Sequence, residues 1–411
     1  MKTTETIGAA ADAAGPLRNA HPRRIRQARW AVSAAFFANG FVVGHWAPKI
    51  PVLAARLGIT ESVLGALVIM FGLGALISLL AGAVLTTRYG SDRIVRWTSL
   101  MLAPALLLIS LSPSLAMTAL TMLWLGIFLG AMDGAMNANA VSVEKARGHA
   151  IMSSCHGFWS LGGLTGAPLG GWMLVRFGDI GHSVGVLVLT GIIVLAAQYY
   201  YLRDAKVMAI GDEADSDGWS LGKVLALLPT GAGIYILGLC AFLSFVPEGS
   251  ILDWSALYLA QEHKADIAYA GYAFAAFSGT MALMRFLGDG LRERLGDART
   301  FLISSLIASV GFAIAGLGAA LPVVIGGFLV CGVGLANMVP IVFSAAGRFK
   351  GVEPAIGIGI VTAFGYSGAL TAPAVLGFVA ERTGLAIIFA AFAVILLATG
   401  LLSLSLRSLR E

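Results

Sequence analysis

Two stretches carry acids where the surrounding residues are almost all apolar. In "LGAMDGAMNANA" (129–140), Asp133 precedes Asn137 by one helical turn, so both lie on one helix face. In "FVPEGSILDWSALYL" (245–259), Glu248 follows Pro247 and precedes Gly249, and Asp253 comes five residues later. A charge at the centre of a membrane helix costs about 2.5–3.5 kcal/mol on insertion scales. Such a group faces a polar cavity or a partner, and it exchanges its proton as water leaves and returns. That is the chemistry of a proton-coupled carrier: Asp133 and Glu248 are expected to couple the proton. Asn39, Asn137, Asn337 and Trp159 add hydrogen-bonding and stacking groups, so the expected solute contacts are Asn39, Asp133, Asn137, Trp159, Glu248 and Asn337. His156, near one end of its segment, carries a proton or serves as a gate. His45, Arg88, Asp253, Arg285 and Arg294 lie towards segment ends and are read with it as gating residues, Arg285 pairing with Asp289 one turn on. Asp253 is placed at the outer mouth.

These residues need helices in oil to hold them. The 411 residues are 58% hydrophobic and 12% charged, about half the charge of a soluble chain. Apolar runs near the roughly 20 residues needed for a crossing recur at 30–47, 61–86, 94–111, 116–142, 151–175, 184–202, 227–258, 267–288, 300–318, 321–347, 354–380 and 385–406. They are continuous rather than alternating, which excludes a β-barrel. Pro247 and Gly249 predict a break in the seventh run.

Basic residues set the orientation. With the N-terminus in the cytoplasm, segments 1–29, 88–96, 144–150, 203–226, 289–299, 348–353 and 407–411 hold 21 of the 27 Lys and Arg residues. Both termini are expected in the cytoplasm, and the net charge of +5 reflects topology rather than nucleic-acid binding. The first apolar run follows Arg23, Arg24, Arg26 and Arg29 and is long enough to be a retained span. Cys155, Cys240 and Cys331 fall inside apolar runs and read as free packing residues. "EADSDG" (213–218) begins like a calcium loop, but its twelfth position is Val224, where a glutamate is required. Neither a phosphate loop nor a metal-ligand spacing occurs. ATP-driven transport, a cofactor, a metal and enzymatic catalysis are not expected.

The polar stretch 203–226 divides the chain, and the two parts repeat. "RYGSDR" (88–93) and "RLGDAR" (294–299) share R-x-G-x-x-R at an offset of 206 residues. The same offset aligns Phe158 with Phe364, Gly162 with Gly368, Thr165 with Thr371, Gly171 with Gly377, Arg176 with Arg382 and Gly178 with Gly384. Gly134–Asn137 recurs, near that offset, as Gly334–Asn337. The expected organisation is a tail 1–29, a six-helix bundle 30–202, a linker 203–226, a second six-helix bundle 227–406 and a tail 407–411.

Two parallel six-helix repeats with a site at the midplane describe a known transporter architecture. The loops resemble the G-x-x-x-D-R-x-G-R-K signature of the major facilitator superfamily. Arg88 and Gly90 match it, with Thr87 where the aspartate usually stands; Glu293, Arg294 and Gly296 match in the second half. "HGFWSLGGLTGAPLGG" (156–171) and "EGSILDW" (248–254) resemble the branch with rhizopine-type transport proteins and uncharacterised bacterial inner-membrane permeases. The resemblance implies an all-α membrane protein of twelve transmembrane helices in two pseudo-symmetric bundles. It implies a monomer of the bacterial inner membrane that moves a small solute with a coupling ion, H+ by preference, through the lipid bilayer. Sparse cationic residues in the expected cavity favour a sugar-like or amino-polyol solute. The alternative is proton-driven efflux of organic cations or drugs.

Overall fold

In hydrocarbon every backbone N–H and C=O must be satisfied internally, so apolar runs of this length become helices. A computed structural model describes residues 22–148, 151–203, 229–352 and 354–405, and no strand occurs among them. The first part contains α1 (Pro22–Leu57), α2 (Glu61–Tyr89), α3 (Ser91–Leu102), α4 (Ala105–Leu111), α5 (Leu115–Arg147) and α6 (Met152–Ala197). The second contains α7 (Ala232–Gln261), α8 (Ile267–Ala270), α9 (Tyr272–Leu295), α10 (Asp297–Leu317), α11 (Leu321–Leu335), α12 (Met338–Gly347), α13 (Pro354–Thr383) and α14 (Leu385–Ser403). The expected tails and most of the linker 203–226 lie outside the described residues.

Ten stretches of the described residues are long and apolar enough to cross a membrane. One of them, Ser154–Ala197, turns at Gly178 (φ 69°, ψ −178°) and so contains two crossings. The helix α1 supplies the twelfth; its 36 residues include Lys49 and Arg56, which dilute the apolar run. The expected tenth span is interrupted at Asn337, between α11 and α12.

The seventh span corrects an expectation. Helix α7 runs through Pro247 without interruption. The proline removes one donor, but the turns on either side keep theirs. Ser244 and Ser250 also donate side-chain hydrogen bonds to the carbonyls of Cys240 and Val246, at 2.7 and 2.6 Å. The carbonyl that loses its intrahelical donor is that of Leu243, four residues before the proline, and this single lost bond leaves the turns around it intact.

The duplication is visible in the backbone. Gly90 (φ 90°) and Gly296 (φ 77°), the glycines of the two R-x-G-x-x-R loops, both take left-handed conformations. So do Gly178 (φ 69°) and Gly384 (φ 83°), again 206 residues apart. Gly58 (φ 61°) pairs with Lys264 (φ 53°), the one non-glycine with positive φ among the described residues. Equivalent loops therefore turn in the same way.

The face of the bundle where α1 begins and α14 ends is called the terminal face here, and the opposite one the far face. The two parts meet at the far face. A Cβ on Gly65 of α2 would overlap the Pro373 carbonyl of α13, and one on Gly171 of α6 would overlap the Ala268 carbonyl of α8. Gln261 Nε2 donates to Glu61 Oε1 at 2.9 Å. Helices α6 and α9 stay together as far as Gly157, against which the Phe286 ring lies. By contrast, Gly134, Gly249 and Gly359, on α5, α7 and α13, have no atom within 4 Å of where a Cβ would stand. Of these, Gly249 and Gly359 line a cavity between α2 of the first part and α7 and α13 of the second.

Close helix approach depends on small residues. Between α1 and α6, a Cβ on Gly40 would overlap the Trp159 carbonyl, and one on Gly162 the Phe37 carbonyl. Gly40→Ala is therefore expected to force the helices apart at a cost of about 1–3 kcal/mol. The melting temperature of the purified protein should fall, while Gly326→Ala, with nothing within 4 Å of its Cβ, should melt like the parent.

Candidate functional site

Polar side chains of α1, α5, α6, α7 and α9 form three separate groups inside the bundle. On α5, Asn137 Nδ2 donates to the Asp133 carbonyl at 2.8 Å and to its Oδ1 at 3.3 Å. Both side chains are half-buried, and no cation pairs with Asp133 among the described residues. The spacing that placed them on one face is what brings them together.

Glu248 and Arg285 form the second element. Arg285 Nη2 lies 3.4 Å from Glu248 Oε1, with side chains 19% and 22% exposed. Arg285 Nη1 also lies 3.3 Å from Ser160 Oγ on α6. Arg285 belongs to the second repeat and Ser160 to the first, so one guanidinium joins the two. Ser278, on α9 with Arg285, adds a bond from its hydroxyl to the Ser160 carbonyl at 3.0 Å. Arg285, expected as a gate paired with Asp289, has Glu248 and Ser160 as its side-chain partners among the described residues. The side chain of Asp289, its expected partner, lies outside the described residues.

Asn39 and Trp159 also meet, but in a different role. Trp159 Nε1 donates to Asn39 Oδ1 at 2.9 Å, and Asn39 Nδ2 donates to the Leu129 carbonyl at 3.2 Å. Asn39 is 0% exposed, so both ends of its amide brace α1 against α5 and α6. It does not present an amide to the cavity, contrary to expectation. Asn337 is also buried, at the break between α11 and α12, and its Nδ2 has no partner among the described residues. His156 packs edge-on against Phe36, ring centroids 5.1 Å apart, one turn before Ser160.

Asp253, expected at the outer mouth, is 9% exposed and faces a cavity of about 680 Å³ between α2, α7 and α13. Among the expected terminal-face residues, Arg88 is exposed and lies over the Tyr89 ring at 5.4 Å. Arg294 is exposed, and the ion pairs form beside it instead. Asp297 accepts from Arg292 at 2.8 Å and from Arg348 at 2.6 Å, joining the start of α10 to the end of α12.

A far-face cluster was missed. Lys49 is 0% exposed. Its ammonium pairs with Asp179 and donates to Ser110 Oγ at 2.5 Å and Ser183 Oγ at 3.0 Å, which uses all three of its donors. Arg56 reaches Asp179 Oδ2 at 3.5 Å and the Ile109 carbonyl at 2.7 Å. Beside this, His45 Nδ1 lies 3.0 Å from His182 Nε2. Gly170 leaves the room, since a Cβ there would stand 2.9 Å from His45 Nδ1. His45 is thus buried within the first repeat. A lysine inside "HWAPKIP" and the acid in "GDIGHS" are the available signals, but the expected runs 30–47, 151–175 and 184–202 leave both outside the spans.

The Major Facilitator Superfamily profile matches residues 32–246 and 237–411. An uncharacterised MFS-type transporter of Yersinia pestis is 34% identical over 365 residues, covering 88% of this chain and 91% of the relative. The membrane protein MosC of Rhizobium meliloti is 31% identical over 365 residues, covering 86% and 84% respectively. The chain belongs to the major facilitator superfamily, in the branch expected from its α6 and α7 motifs. The fold agrees. A mutant form of the nucleoside transporter NupG superposes with a TM-score of 0.73 at 16% identity, over 91% of this chain and 99% of that one. A bacterial homologue of the human lysosomal transporter Spinster, inward-facing and unoccupied, gives 0.70 at 13% identity, over 95% and 98%. The protein is a twelve-helix, multi-pass membrane transporter of this superfamily.

Proposed function

We propose that the chain is a proton-coupled secondary transporter of the bacterial inner membrane, with cytoplasmic termini, moving a small sugar-like or amino-polyol solute by alternating access. The observation that carries this reading is the Arg285 guanidinium held between Glu248 of its own repeat and Ser160 of the other. A solute or proton that changes the charge of Glu248 changes how firmly Arg285 holds the two repeats together. A ligand shifts such an equilibrium only through its differential affinity for the two states, and this contact supplies the difference. Asp133, with Asn137 and no cation beside it among the described residues, supplies a second carboxylate for the proton and hydrogen-bonding partners for hydroxyl groups.

Proteoliposomes with an imposed pH gradient test this reading. Accumulation of the solute should require the gradient and vanish with a protonophore. Asp133→Asn should lower the initial rate about tenfold or more. Accumulation indifferent to the gradient would remove the coupling assignment. A second reading, proton-driven efflux of organic cations, is supported by the apolar cavity that Asp253 faces.

A further inference from the structure

We propose that the cavity between α2, α7 and α13 is a binding site for amphipathic monovalent organic cations, with Asp253 as the counter-charge. Its volume of about 680 Å³ falls within the range of small-molecule sites. Phe71, Phe245 and Trp254 supply aromatic wall, with leucines and valines between them. Asp253 is the one charged residue among those lining the cavity. More than nine-tenths of its surface is buried, yet its carboxylate has neither a hydrogen bond nor an ion pair among the described residues. Neighbouring acids find partners: Glu248 has Arg285, and Asp133 has Asn137. A buried carboxylate without a partner is costly, and a cation in the cavity would supply one.

The other polar groups narrow the ligand class. Ser250, Thr362 and Ser367 line the same space, but each hydroxyl donates to its own helix, to the carbonyls of Val246, Ile358 and Phe364. The described hydroxyls of the wall are therefore spent as donors, and the one unpartnered donor on it is the enclosed Trp254 Nε1. An anion would meet the like charge of Asp253 with no cation to offset it among the described lining residues. A polyol would bury hydroxyl groups against Phe and Leu. A cation with aryl or alkyl groups matches both features, because its charge meets Asp253 and its apolar surface meets the rings, which also attract positive charge through their faces.

The site is separate from the Glu248–Arg285 pair. Neither residue lines the cavity, and Arg285 is turned towards Ser160 of α6. The α7 residues that line the cavity include Val246, Gly249, Ser250 and Asp253, which recur at three and four residues along one side of the helix, with Phe245, Leu252 and Trp254 flanking them. The inference concerns binding alone and does not rest on the solute or direction proposed above. A binding measurement in detergent can fail while gradient-driven transport succeeds, and the reverse.

The test is equilibrium binding of radiolabelled tetraphenylphosphonium to the purified full-length protein. Saturable binding is expected. Phenyltrimethylammonium should displace the probe, whereas tert-butylbenzene, its neutral isostere, should not at the same concentration. Asp253→Asn should weaken binding at least about tenfold. Gly359→Phe, which fills open space in the cavity and leaves the carboxylate in place, should weaken it as much. This second variant decides the matter where Asp253→Asn does not fold. Absence of saturable binding, equal displacement by the neutral isostere, or full binding in a folded variant of either kind overturns the proposal.

Discussion

Glu248→Gln is expected to abolish gradient-driven accumulation while leaving the protein folded. The substitution keeps the shape of the side chain and removes the negative charge that faces Arg285 at 3.4 Å. Breaking a fully buried ion pair costs about 3–5 kcal/mol, because the surviving charge stays uncompensated. This pair is about one-fifth exposed at each end, so solvent screens part of that, and about 1–3 kcal/mol is the expected range. The cost falls on whichever state of the carrier keeps Arg285 in this position. A shift of that size in the balance between states corresponds to about a 5- to 150-fold change. Arg285→Met should fail likewise. The double variant Glu248→Gln/Arg285→Met should regain the melting temperature of the parent without regaining accumulation, since it restores charge balance but no titratable group. Full accumulation by Glu248→Gln, measured under an imposed pH gradient, would show that the coupling lies elsewhere.

The largest expected loss of stability lies at the far face. Lys49 is wholly enclosed, with Asp179, Ser110 and Ser183 around its ammonium. Asp179→Asn leaves that charge in a low-dielectric interior with two hydroxyls for company. The expected cost is about 3–5 kcal/mol, seen as a large drop in melting temperature in detergent and a lower yield from the membrane. Arg56→Gln should cost much less, because Arg56 is 27% exposed and its Asp179 contact is 3.5 Å. Lys49→Met together with Asp179→Asn should recover most of the loss, since no buried charge then remains. If Asp179→Asn melts with the parent, the cluster does not anchor α1, α4 and α6 together. These helices form the end of the first repeat that closes against the second, so the cluster's rigidity bears on how that repeat moves as a unit.

What could be read before folding was local or periodic. The spans follow from run length, because hydrocarbon allows no other economical backbone arrangement at this length. The two-fold repeat follows from spacing, and the loop glycines at 90 and 296 and at 178 and 384 reproduce it in their dihedral angles. The pairing of Asp133 with Asn137 follows from one turn of helix. Pro247 shows the limit even of local rules: the residue type predicts a break, but the helix loses one bond and the adjacent turns carry it through.

The amino-acid sequence by itself determined the family, the membrane class, the number of crossings and that Asp133, Glu248 and Arg285 lie inside them, while Lys49, Asp179 and His182 fell outside the expected runs. Only the tertiary structure decided which of those residues meet. Glu248 and Arg285 are 37 residues apart, Lys49 and Asp179 are 130, and Asn39 and Trp159 are 120. Helical periodicity places a side chain on a face of its own helix. Whether that face turns to a guanidinium, as for Glu248, or to an apolar cavity, as for Asp253, depends on how neighbouring helices pack and rotate. In this chain that packing is set largely by contacts between glycines and backbone carbonyls, which bring helices close without leaving a charge or polarity pattern from which partners can be read.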